Sequence, residues 1–187
     1  MSVPTSISTA FERARRYQAL SRAALAATAA DPTLSPECPP YETQYGSPHV
    51  FAQSGELADI AGFYRALGLA APATERVDHL AVELEFLSFL AFKEAWAVNT
   101  GETERAKELR EIQAKFLADH LARWAPAFAA RFEARDAALA GELRAWIREE
   151  LAAFGIEPSG IRPVDLRPAF DVNEPMDCGG GSCGTPS

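Results

Sequence analysis

The chain has 187 residues, 48% of them hydrophobic, enough for one domain with a sizeable core. A formal net charge of -8 excludes the general basic footprint that nucleic-acid phosphates require; it suits a cationic partner, or simply solubility. Three cysteines, odd and sparse, exclude a disulfide framework and fit a reducing compartment.

Arg15-Arg16 and the alanine-rich run after it superficially resemble an export leader. Glu12 precedes the pair, however, Arg22 interrupts the run, and alanine is too weakly apolar for a leader core. Phe11, Ala14, Tyr17, Leu20, Ala24 and Ala27 instead recur every three or four residues, which predicts an amphipathic helix over about 7–30. Asp31-Pro32 ends it. Residues 31–55 read as a long loop whose Tyr41, Tyr45 and Phe51 need a surface to pack on.

A second helix is expected over 56–67, with Leu57, Ile60, Ala61 and Tyr64 on one face and Gly68 as its left-handed cap. Asp78 is a plausible N-cap for a third helix running to about Asn99. Leu80, Val82, Leu84, Phe86, Leu87, Phe89, Leu90, Phe92 and Trp96 cover nearly its whole circumference, the mark of a central, buried helix. Glu83, Glu85 and Lys93 break this apolar stretch short of the roughly 18 residues of a membrane span. After the turn at Asn99-Thr100-Gly101, a fourth helix covers 102–124, with Leu109, Ile112, Phe116, Leu117, Leu121 and Trp124 inward. Pro126 fits the first turn of a new helix to about Arg135, and a last helix over 138–154 carries Leu139, Leu143, Trp146, Ile147, Leu151 and Phe154. Prolines then dominate. Ile161, Val164, Leu166 and Phe170 could still pack on the bundle, whereas Cys178-Gly-Gly-Gly-Ser-Cys183 reads as tail. The expectation is an all-α, single-domain bundle of about six helices over 1–170, with a flexible tail over 171–187.

The histidines are the first candidates for chemistry. His79 and Glu83 share a helix face, and Asp119-His120 lie on the fourth helix, so a helical metal- or ligand-binding enzyme using His79, Glu83 and His120 is one reading. A di-iron bundle needs a Glu-x-x-His pair on each of two helices; Phe86 follows Glu83 at that spacing and Ser88 follows Glu85. Cys178 and Cys183 lack two further ligands for zinc. Neither a nucleotide loop nor a nucleophile elbow occurs. No catalytic residue, metal or cofactor is therefore expected. One oddity remains. Glu83 and Glu85 lie about 200° apart on the most apolar helix, so at least one must enter a groove or a polar network.

Three blocks carry a resemblance. They are Tyr41-Glu42-x-x-Tyr45 with the run from Glu56 to Leu69, the run from Glu75 to Leu87 containing Asp78-His79, and Phe116-Leu117-x-Asp119-His120-Leu121-x-x-Trp124. Their order and spacing resemble the TorD/DmsD/NarJ family of molybdoenzyme-maturation chaperones. Val77 stands where the family usually has proline before Asp-His. The resemblance implies a cytoplasmic, non-enzymatic chaperone, monomeric or weakly dimeric, that does not insert into membranes or bind nucleic acid. Its implied partners are the twin-arginine signal peptide and the apo form of a molybdopterin-dependent oxidoreductase catalytic subunit, held until the cofactor is inserted. For peptide binding, Glu42, Asp78 and Glu83 are the candidate guanidinium acceptors. Tyr41, Tyr45, Tyr64 and Phe86 are the candidate apolar lining, with His79 orienting Asp78.

Overall fold

The computed structural model describes residues 6–29, 38–46, 50–70 and 75–157. Among them the chain is all-α, with helices α1 (Ile7–Ala29), α2 (Val50–Ala66), α3 (Leu80–Thr100), α4 (Thr103–Phe116), α5 (Ala122–Phe132) and α6 (Ala137–Phe154). The expected tail, with Cys178 and Cys183, and the apolar residues Ile161, Val164, Leu166 and Phe170 lie outside the described residues.

α1 and α3 pack antiparallel. Small residues on α1 (Ala10, Ala14 and Ala24, all buried) let the two backbones approach. Hydroxyls then reach across the seam: Ser21 Oγ donates to the Ala81 carbonyl at 2.7 Å and Ser88 Oγ to the Ala14 carbonyl at 2.8 Å. Gly101 closes α3 in the left-handed region at φ 78°, a conformation that costs any L side chain. α4, a π-helical segment (Leu117–Leu121) and α5 run on without a break. α6 starts at Asp136, whose carboxylate accepts from the Leu139 amide at 2.9 Å, and ends at Gly155 with φ 66°. The core gathers Tyr17, Phe86, Phe116, Trp124, Phe128 and Trp146, all buried.

The structure corrects the sequence expectations at four places. α2 begins at Val50, six residues before the expected start. Pro126 lies inside α5 rather than opening a new helix; the boundary falls earlier, at the π turn, where one extra residue widens the helix ahead of a residue that cannot donate an N–H. Phe11 does not face the core and is 45% exposed; its ring lies 6.4 Å from that of Phe92, itself 48% exposed on α3. α3 is not buried all round: α1 and α4 cover two of its sides, and Phe92 and Trp96 stay 48% and 58% exposed on the strip between.

Far from the loop, a buried ionic network ties four helices. Arg13 on α1 meets Glu94 on α3 at 3.0 Å and Glu150 on α6 at 3.6 Å. Gln113 on α4 donates to Glu94 at 2.8 Å, and the Tyr17 hydroxyl donates to Glu150 at 2.7 Å. Sequence reading missed this network.

Candidate functional site

The loop before α2 is held to the front of α3 by backbone bonds. The Glu42 amide donates to the Asp78 carbonyl and the Leu80 amide to the Pro40 carbonyl, both at 2.9 Å, making an antiparallel bridge between Tyr41 and His79. A single 3-10 turn over Glu42–Gln44 then directs the Glu42 and Thr43 side chains inward, where both are buried.

His79, not Asp78, is the N-cap of α3. Its Nδ1 accepts from the Ala81 amide at 3.0 Å. An accepting ring nitrogen must be unprotonated, and burial pushes the imidazole pKa down from its ordinary value of 6.5, in the same sense. Its Nε2 lies 3.3 Å from Thr28 Oγ1, so both ring nitrogens are engaged.

Asp78 is thereby freed from capping and turns inward, fully buried. The Arg76 guanidinium grips it in a two-pronged fashion, Nε to Oδ1 at 2.9 Å and a terminal nitrogen to Oδ2 at 2.8 Å. The Thr43 hydroxyl adds a bond to Oδ2 at 2.8 Å and the Thr43 amide one at 3.3 Å. Arg76 also lies over the Tyr41 ring, 4.5 Å from its centre. Asp78 thus locks the loop to α3 and has its oxygens filled from within the chain.

Glu42 points the other way. His120, in the π turn, donates through Nδ1 to its carboxylate, 3.0 Å from one oxygen and 3.3 Å from the other. The opposite edge of the same ring places Nε2 3.4 Å from Asp59 Oδ2 on α2. One imidazole therefore bridges the loop, the π turn and α2. This is the kind of place where π turns recur, since the extra residue re-aims side chains.

Glu83 resolves the oddity of the apolar helix. It is fully buried, and its Oε2 accepts from the Trp124 indole N–H at 3.3 Å. Burial first, and then the neighbouring Glu42 carboxylate, push its pKa well above the ordinary carboxyl value of 4.5. Glu85 is exposed.

Behind this polar node runs an aromatic stack. Tyr64 stacks on Phe86 at 4.5 Å, Phe86 meets Phe116 at 4.7 Å, and Phe116 meets His120 at 4.8 Å. The Tyr64 hydroxyl donates to the Val82 carbonyl at 3.2 Å. Tyr45 lies on the other flank, its ring 5.3 Å from Trp124.

The structure therefore brings Glu42, Asp78, His79 and Glu83 together, with Tyr64 and Phe86 behind them and Tyr41 and Tyr45 to the sides. All but Tyr41 are buried. His120 sits in the same node, while His79 is bound locally, and no group of three metal-ligating side chains is found among the described residues. Sequence reasoning missed Arg76, Thr43 and Asp59 as members of this node, because each is placed there by a partner distant in the chain or in a loop.

The site thus combines an all-helical frame, an Asp-His helix start, a loop clasped to it and a buried carboxylate–imidazole node. The chain belongs to the nitrate reductase delta subunit family, matched over residues 11–130, a family of NarJ/TorD-type molybdoenzyme-maturation chaperones. It is 39% identical over 90 residues to the selenate reductase assembly chaperone protein of Thauera selenatis, covering 47% of this chain and 46% of that one. It is 35% identical over 86 residues to the chlorate reductase assembly chaperone protein of Ideonella dechloratans, covering 45% and 44%. The match thus spans less than half the length of each relative. No solved structure gives a significant match. No helix among the described residues is long and apolar enough to cross a membrane.

Proposed function

We propose that this chain is a cytoplasmic, non-enzymatic chaperone for the assembly of a molybdopterin-dependent reductase. It binds the twin-arginine leader of the catalytic subunit and holds the apo form until the cofactor is inserted. The observation that carries this reading is the convergence of carboxylates from the loop, α2 and α3 on one node beside an aromatic stack. A leader offers two guanidinium groups and an apolar segment, and carboxylates with neighbouring aromatics are their chemical complement. In this reading Asp78, His79 and Glu83 set the floor. Glu42 and Tyr41 set the loop wall, and Tyr45, Tyr64 and Phe86 set the apolar backing. The relatives from Thauera selenatis and Ideonella dechloratans, named for assembly of oxyanion reductases, support a client of that class.

The test is capture. A tagged chain expressed in its native host should retain a molybdopterin-dependent catalytic subunit that still carries its leader. Recovery should fall when the two leader arginines are replaced by glutamine. Capture of a leaderless mature subunit at equal yield would contradict the reading.

A further inference from the structure

The internal bonding of the node decides which carboxylates can receive a guanidinium. Asp78 is filled by Arg76 and Thr43. Glu83 is sealed from solvent, and Glu42 engages His120 with both oxygens. Two carboxylates on α2 are left, Glu56 and Asp59, three residues apart and so on one helix face.

Glu56 Oε2 is buried and has no hydrogen-bond partner. Its carboxylate lies against Gly46, where a Cβ would come within 2.9 Å of both oxygens, so the glycine leaves its space. Asp59 is the open end, its side chain 66% exposed. Between Asp59 and Glu42 stands His120, its side chain 3% exposed, whose Nε2 faces Asp59 without a hydrogen bond. The cations nearby offset this group only in part. Lys115 attracts Asp59 but pairs with Asp119, and Arg123 attracts Glu56 but donates to the Asp119 carbonyl at 3.1 Å.

We infer that Glu56 and Asp59, backed by the unpartnered His120 edge, form the seat for an arginine side chain of the bound leader. This rests on the leader-binding reading above and moves the guanidinium contact from Asp78 and Glu83 to α2. A planar guanidinium with five N–H groups can bridge two carboxylates that a point-charge ammonium satisfies less well. It enters past Asp59 and supplies the donor that Glu56 lacks.

The experiment titrates the full chain with fluorescein-labelled synthetic peptides. Each has an Arg-Arg, Lys-Lys or Gln-Gln pair before the same alanine–leucine segment. The unaltered chain should prefer Arg-Arg to Gln-Gln by at least about tenfold, with Lys-Lys between them. Glu56→Gln with Asp59→Asn should erase most of that preference and leave Gln-Gln binding unchanged. Asp59→Asn alone, at an exposed position that spares the fold, should cost about tenfold for Arg-Arg, the size of one charge-assisted hydrogen bond. An intact preference in Asp59→Asn and in the double variant would overturn the seat and leave the leader-binding reading standing. An unaltered chain with no Arg-Arg preference would overturn both.

Discussion

Replacing Arg13 by alanine should destabilise the protein by about 3–5 kcal/mol, the usual cost of orphaning a buried charge. Arg13 is 6% exposed on its side chain and touches two carboxylates that are themselves 1% and 9% exposed. Removing it leaves Glu94 and Glu150 facing each other in a low-dielectric interior. Arg110, whose buried nitrogen lies 3.7 Å from Glu94 without a hydrogen bond to it, offsets only part of the loss. Urea unfolding followed by circular dichroism should show the loss, and the thermal midpoint should fall by roughly 10 °C for a chain of this size. Arg13→Met keeps the stem volume and should cost nearly as much, because charge rather than packing is at stake. Adding Glu94→Gln and Glu150→Gln to Arg13→Met should recover most of the stability. A single Arg13→Met that proves neutral would show that the network contributes little.

Glu83→Gln should act in the opposite direction and depend on pH. The folded state holds the Glu83 proton more tightly than the unfolded chain does, since burial and Glu42 raise its pKa well above 4.5. Folded protein therefore binds more protons than unfolded protein above that value, and stability falls as pH rises through the window that starts near 4.5. Glutamine has no proton to lose. Its oxygen can still accept from the Trp124 indole, and its amide can donate towards Glu42. The variant should match the unaltered chain near pH 4.5 and exceed it by about 1–2 kcal/mol near pH 8, since each tenfold change in proton affinity is worth about 1.4 kcal/mol. Paired urea titrations at the two pH values read the difference directly. Burial raises the pKa of Glu56 and Glu150 in the same sense, but both residues are present in both proteins and cancel. A variant less stable than its parent near pH 8 would mean that the ionised Glu83 is well compensated.

Helix ends and types were legible because their signals are local. Gly68, Gly101 and Gly155 do adopt positive φ where the sequence places helix ends and turns, and the apolar periods of α4 and α6 do face the core. The Glu83–Glu85 paradox was also legible, since no rotation of one helix exposes both. Other features depend on what lies across from a residue. The start of α2 was hidden because Phe51 is 92% exposed and gives no core period. Arg13 carries no local signal, since its partner Glu94 is 81 positions away. At the site, Asp78 and His79 stand out from sequence as a pair, but their tasks are exchanged in the structure: His79 caps and Asp78 clasps the loop. A cap assignment from sequence rests on residue preference, and histidine ranks well below aspartate until the Arg76–Thr43 clasp claims the aspartate.

Leader binding as proposed needs a seat where the loop, α2 and the π turn meet. Amide hydrogen exchange of the full chain, with and without a twin-arginine peptide, tests this most directly. The expected result is slowed exchange confined to residues 38–46, the first half of α2 and the amides around His120, with α6 unchanged. Slowed exchange on α6 or along the outer strip of α1 and α3, with the loop and α2 unaffected, would contradict it.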